Sequence, residues 1–381
     1  MRVCGLMSGT SLDGLDIAVA DFFEEKGSIR HELKFFTTMP YPDELRERLT
    51  SLMDPKAPMQ TISSMNMYLG ELFASYVKTA LADSPVPFAS IDLISSHGQT
   101  VWHEPVSDGT PFSRPNTMQI GDISALAEHT RKTVIGDFRP RDIAAGGQGA
   151  PLVPFADQYL FQIEENGRVL VNIGGISNIT VLPPTGSNED VIALDTGPGN
   201  MIIDAFVAIH TNGNELLDQD GRYASLGKVH NDWLNDLLQH DYYRKSAPKS
   251  TGRENFGFDY SKSIWNDADR YGLTPVDKIA TVTMLTAKTL STEIQKFSDS
   301  HDVTEVFISG GGVHNPVLLN YLRDLLPGLA IRNTEVLGIN SDAKEAFVFA
   351  LIGYLGFHNE PNNAPAATGA NRRTVLGKIA W

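Results

Sequence analysis

Cysteine is almost absent: Cys4 is the single one in 381 residues, which excludes an intrachain disulfide and a cysteine-built zinc site. Cys4 sits in an apolar strand pattern, where a buried thiol packs as a small hydrophobe. Basic residues are also in deficit, 31 against 46 acidic for a net charge of −15, a field that repels nucleic acid and anionic lipid. Long apolar runs are missing. The longest, Ala346 to Phe357, is too short to span a bilayer and contains Gly353 and Gly356. The opening residues lack signal-peptide grammar, because glycines and then Asp13 and Asp16 break the apolar stretch. The expected location is the cytoplasm. Two nucleotide fingerprints are absent as well. No Gly-x-x-x-x-Gly-Lys-Ser/Thr occurs, and Gly197-Pro198-Gly199 has Ile202 where the third glycine of a dinucleotide loop belongs.

Hydrophobic residues at 41% and charged residues at 20% are those of a globular protein, and the length calls for two or three domains. The chain opens with a strand pattern, Arg2 to Met7, then a polar turn, Ser8 to Gly14, and a return strand, Leu15 to Phe22. The unit recurs as Arg168 to Ile173, the turn Gly174-Gly175, and Ile176 to Leu182. A third extended segment follows each pair, His31 to Phe36 and Val191 to Leu194. Each half then continues through helix-like stretches to a strand ending in small polar residues, Ser95-Ser96 before His97 and Ser309 before Gly310. This is an α/β chain with a repeated β-β-β-α-β-α core, two related domains around a central cleft. The boundary is placed near residue 160, giving domains 1–160 and 161–381, with the last long helix able to pack back on the first.

Gly9-Thr10-Ser11-Leu12-Asp13-Gly14-Leu15-Asp16 combines glycines that let backbone N–H groups approach an oxyanion with hydroxyl donors and two carboxylates suited to water-mediated Mg²⁺. The same residue types also make an ordinary tight hairpin; the second glycine turn favours phosphate binding. Asp195, after Val191 to Leu194, stands where α/β folds place ligand crevices and suits a general base or a metal ligand, or else a turn-forming cap. Asp204, a helical distance on, reads as solvent-facing or paired. Ser95 to Thr100 with Trp102 is dense in donors and acceptors beside an aromatic platform, as sugar sites are. A metal site from His97, His103 and Glu104 is conceivable, but His103-Glu104 lacks the second histidine of a zincin motif. Ile135 to Asp142 and Ala144 to Pro151 read equally as a crossing loop or a substrate loop. Ser341-x-x-Lys344 and Lys249-Ser-Thr-Gly252 echo penicillin-binding enzymes, but their order is reversed and Ser-Asp-Asn is missing.

Together these blocks resemble the anhydro-N-acetylmuramic acid kinase family, of the acetate/sugar kinase and actin-like ATPase superfamily. The matching segments are Gly5 to Asp16, Ser96 to Thr100, Asp137 to Arg139, Ala144 to Leu152, Asn172 to Gly175, Asp195 to Asn200, Lys249 to Arg253 and Gly310 to Gly312. They run in order along nearly the whole chain. The resemblance implies ATP with Mg²⁺ held between the two domains, its phosphates on Gly9, Thr10, Ser11, Leu12, Asp13, Gly14, Leu15 and Asp16 and on Asn172, Gly174 and Gly175. The nucleoside would lie by Gly310, Gly311, Gly312 and Asn315. Asp13 and Asp16 would hold the metal through water. The sugar would meet Ser96, His97, Gln99, Thr100, Gln119, Asp137, Phe138, Arg139, Gly197 and Glu345, with Asp195 as general base. The implied reaction opens the anhydro ring and phosphorylates O6, in cell-wall sugar recycling. The partners are small molecules, not nucleic acid or membrane, and a homodimer is admitted. The rival readings are another kinase of the superfamily, with Asp195 deprotonating a hydroxyl, and an ATP-driven switch protein.

Overall fold

A computed structural model describes residues 1–9, 11–25, 28–247, 249–337 and 342–381; Thr10 and Ser341 lie outside them. The chain divides into two compact units, Met1–Ala156 with Asp342–Trp381, and Asp157–Ser341.

In the first unit, β1 (Arg2–Ser8), β2 (Gly14–Glu25) and β3 (Ser28–Pro40) form an antiparallel meander. β4 (Leu93–Glu104) lies parallel to β1, β5 (Asn116–Ile120) pairs with β4, and β6 (Thr133–Gly136) continues parallel beyond β4. Alternation along β1 decides what each face meets. Cys4 and Leu6 pack with Leu69, Phe73 and Val77 of the helix Met59–Ala82. Gly5 faces the other way, where a Cβ would lie 2.0 Å from the Ala346 carbonyl oxygen of the helix Lys344–Phe357. Glycine is therefore the residue that lets this helix lie directly on the sheet. Residues 346–356 of that helix are all buried, which is why it carries no polar face.

The second unit repeats the plan. β7 (Gly167–Ile173), β8 (Ile176–Leu182) and β9 (Ile192–Pro198) form the meander, with β10 (Val303–Ser309) parallel to β7 and β11 (Ala330–Asn333) parallel to β10. The order β11-β10-β7-β8-β9 matches β6-β4-β1-β2-β3 of the first unit, so the repeat expected from the sequence is present. The helices Pro275–Ser298 and Pro316–Leu325 supply Leu290, Ile294, Leu318 and Leu322 to its core. A helical segment between β9 and the long helix adds a second core around Phe206, Trp233, Tyr242 and Phe256.

Two differences from the sequence reading have physical causes. Residues 342–381 group with the first unit, whereas the sequence boundary assigned them to the second while admitting that the last long helix could pack back on the first. Lys344–Phe357 buries its whole circumference against that unit, and β12 (Lys378–Ala380) pairs antiparallel with β6. Asp195 also lies inside a strand rather than after it. β9 runs on to Pro198 because Gly197 and Pro198 still pair with Ser177 and Ile176, and β9 is an edge strand, where proline is tolerated.

Candidate functional site

Each unit carries a small-residue turn between its first two strands. In the first, Leu12 adopts a left-handed backbone (φ 59°), and its N–H reaches the Gly9 carbonyl at 3.3 Å. The side chains of Leu12 and Leu15 are buried, so they anchor the turn from beneath and leave only backbone groups for a ligand. Gly14 is needed for packing, since a Cβ would lie 2.4 Å from the Met39 oxygen, but around Gly9 a Cβ would meet nothing closer than 3.7 Å. Gly9 and the exposed Ser11 and Asp13 are the open part of this loop. Asp16, beside Met7 in the ladder, accepts a 2.5 Å hydrogen bond from the Thr38 hydroxyl. Burial pushes its carboxyl up, and the charges of Asp342 and Asp13 push it further. Among the described residues no group of three or more His, Cys, Asp or Glu is arranged to hold a metal. The acidic pair suits Mg²⁺ that keeps most of its waters, and the crowding of carboxylates around Asp16 is what a cation would relieve.

The sugar-type block on β4 is more internal than its sequence suggests. Ser96 is buried with its hydroxyl on the Gly98 N–H, and Gln99 is buried with its carbonyl oxygen taken by the Ser8 hydroxyl at 2.5 Å. His97 is buried between two partners. Arg139 Nε–H donates to its Nε2 at 3.0 Å, so the ring proton sits on Nδ1 and donates to the Gly98 carbonyl at 2.8 Å. Burial, and then the Arg139 charge, pull the imidazole down to about 3. Both nitrogens are spent, and His97 acts by aiming Arg139, which also donates to the Gly149 carbonyl at 2.8 Å. Burial lowers the guanidinium to about 10, against the pull of Glu345 and Asp142, so it stays charged at neutral pH.

Phe138, expected among the sugar contacts, is core, 1% exposed, with its ring packed on Phe349 at 5.9 Å. Asp137 pairs with Lys378. Thr100 and Gln119 face each other across β4 and β5 with a 3.1 Å hydrogen bond, and the Gln119 Oε1 is buried with no partner among the described residues. Glu345 is solvent-accessible at the start of its helix. Partial burial raises its carboxyl, Asp16 raises it further, and Lys344 and Arg139 oppose. His103 bonds the Thr117 hydroxyl at 3.1 Å.

In the second unit the turn Gly174-Gly175 is fixed by the following helix, Met201–His210. The N–H groups of Gly199 and Met201 reach the Gly175 carbonyl, and that of Asn200 reaches Gly174. Gly310 (φ 81°) and Gly312 are demanded by packing, since added Cβ atoms would meet Asn172 Oδ1 at 2.6 Å and Ile173 Cγ2 at 2.4 Å; Gly311 is open. Asn315 spends its Oδ1 capping the helix Pro316–Leu325 through Val317 and Leu318 N–H, both 3.1 Å. Asn172 and Asn315 thus shape this surface from behind.

Asp195 is held through its backbone and through one carboxylate oxygen. The Thr251 N–H donates to its Oδ2 at 2.9 Å, its own N–H donates to the Lys249 carbonyl at 3.0 Å, and the Tyr242 hydroxyl donates to its carbonyl at 2.8 Å. Oδ1 has no hydrogen bond among the described residues. Burial raises the carboxyl, the Thr251 amide pulls it down, and Glu254 adds to the rise. Gly197 (φ 141°) leaves room for the Tyr243 ring, 2.8 Å from where a Cβ would be. Asp204 has no side-chain partner among the described residues and is not freely solvated. It lines a cavity of about 380 Å³ with Gly175, Met201, Arg253 and Phe258, and burial, with Asp218 nearby, pushes it up to about 7. Sequence reasoning did not assign Tyr242, Thr251 or the Lys249–Glu293 ion pair at 2.7 Å to the site; only the block Lys249 to Arg253 hinted at them.

Two copies of one meander-plus-crossover α/β core, each with an open glycine turn, and a held carboxylate on the third strand of the second copy leave the class of protein open. Comparison with known proteins narrows it. The model of the family described as anhydro-N-acetylmuramic acid kinase matches residues 1–381. The protein of that description from Caldanaerobacter subterraneus subsp. tengcongensis is 42% identical, over 99% of this chain and 96% of its own. Those from Salinibacter ruber and Bacillus cereus are each 39% identical, over 99% and 100% of this chain and 96% and 99% of theirs. The chain belongs to the anhydro-N-acetylmuramic acid kinase family and is by class a kinase. Among the described residues, no helix is long and apolar enough to cross a membrane.

Proposed function

We propose that this protein uses ATP to phosphorylate O6 of 1,6-anhydro-N-acetylmuramic acid while water opens the anhydro bridge, yielding N-acetylmuramic acid 6-phosphate and ADP in the recovery of cell-wall sugars. Asp195 takes a proton from water as the water oxygen bonds to the anomeric carbon. The bond from that carbon to O6 breaks, and O6 takes the γ-phosphoryl group in place of a proton. The observation that carries this reading is the state of Asp195: one carboxylate oxygen is fixed by the Thr251 amide, the other is unoccupied among the described residues, and its affinity for a proton is raised by burial.

The open turns at Gly9, Ser11 and Asp13 and at Gly174 and Gly175 are assigned to the phosphates, where backbone amides stabilise anionic oxygens. The nucleoside is assigned to the surface around Gly311. Asp13 and Asp16 would hold Mg²⁺ through water, which supplies charge neutralisation at the phosphates. Arg139, Thr100 and Gln119 are assigned to the sugar, with Glu345 supporting.

The test is the reaction in ¹⁸O-labelled water. Label is expected on the anomeric carbon of the 6-phosphate and none on phosphate. Label in released inorganic phosphate, or faster phosphorylation of open-ring N-acetylmuramic acid, would refute the coupled reaction. Asp195→Asn, nearly isosteric, is expected to lower turnover by roughly 10²–10⁴-fold with both substrates still bound.

A further inference from the structure

We infer that Lys249 is a positioning residue for Asp195, locking the segment 249–251 and Tyr242 around it through a buried ion pair with Glu293. The inference rests on the reading of Asp195 as the base. Lys249 and Glu293 have side chains 2% and 7% exposed, with Nζ and Oε1 2.7 Å apart. Glu293 is fixed in the long helix Pro275–Ser298 and is held a second time by Lys296 at 2.8 Å. A buried ion pair is weak support for stability, since an apolar pair of similar volume does as well or better. What it supplies is direction, and here every link converges on one residue. The Lys249 carbonyl receives the Asp195 N–H, and two residues on the Thr251 N–H holds Oδ2. The Lys249 ammonium lies over the Tyr242 ring, 5.0 Å from its centre, and the hydroxyl of that ring donates to the Asp195 carbonyl. Releasing Lys249 therefore loosens three of the hydrogen bonds that set where the carboxylate points.

The pH dependence gives the distinguishing readout. The Thr251 amide holds the Asp195 carboxyl down against burial, so loosening it raises the carboxyl, and the acid limb of activity moves to higher pH. The experiment uses the full chain with Mg-ATP and the anhydro sugar. The double variant Lys249→Met/Glu293→Met leaves no unpaired buried charge. It is expected to fold, to lose about 10–100-fold in kcat with both KM values little changed, and to show the acid limb displaced upward. Glu293→Gln, which keeps the shape and loses the attraction, is expected to move the limb the same way. Lys249→Arg, which keeps the charge, leaves it near the wild-type position. A folded double variant with wild-type kcat, or one whose kcat falls while the limb stays put, overturns the inference. Asp195→Asn separates the two levels. If it keeps its turnover, the base assignment falls and this inference with it. If it collapses while the double variant matches wild type, the positioning role alone falls.

Discussion

Arg139 and Asp204 are both ionisable groups removed from bulk water, with opposite consequences. Arg139 is aimed by two acceptors, His97 Nε2 and the Gly149 carbonyl, in a forked geometry that a lysine ammonium does not reproduce. Arg139→Lys is expected to weaken sugar binding about tenfold, the loss of one charged hydrogen bond, and to leave nucleotide binding unchanged; calorimetry of each ligand measures both. Asp204 has no such partner among the described residues. Its folded carboxyl, at about 7, lies above the ordinary 3.8, so the fold binds a proton that the unfolded chain has released. Its contribution is most favourable below the unfolded value and is lost as pH rises through the folded one. Asp204→Asn does not titrate. At pH 8 it is expected to melt about 2–4 °C higher than wild type, with the gap closing toward pH 4. A constant gap across that range would show that Asp204 does not titrate as its surroundings dictate.

At the scale of elements, the loop 144–152 is held by one buried carboxylate. Asp142 accepts from the Gly149 N–H at 2.8 Å and from Asn363 Nδ2 and the Thr368 hydroxyl, both at 2.9 Å. Asp142→Ala strands three donors and is expected to cost about 3 kcal/mol, read as a lower denaturant midpoint. It should also weaken sugar binding, because Gly149 is an anchor of Arg139. The elements legible in the sequence were those written in local grammar: both glycine turns and the three strands of each meander. The illegible ones depend on partners far along the chain. Asn363 and Thr368 lie 221 and 226 residues from Asp142, and Glu293 lies 44 from Lys249. No periodicity relates such pairs. Phe138 misled for the converse reason: it adjoins Arg139 in sequence, but only tertiary packing turns it into the core while its neighbour faces His97. The matched blocks marked the segments, and burial then separates their exposed residues from those packed behind them.

The whole molecule is threaded unequally. The second unit is one continuous stretch, 157–341, whereas the first is assembled from two stretches that flank it. Lys344–Phe357 lies directly on the first sheet at Gly5 and is buried on every side, so that sheet has an uncovered face until the helix arrives. A chain leaving the ribosome usually folds its earlier domain first. Here the order is reversed, because the later unit has all its residues before the earlier one receives its closing helix. Chains stalled with residues up to 341 exposed are expected to give a protease-resistant fragment spanning 157–341 and rapid loss of β1 to β6. Chains released at full length are expected to protect both. Until translation passes residue 357, the nascent first sheet keeps one apolar face without the helix that covers it in the finished fold.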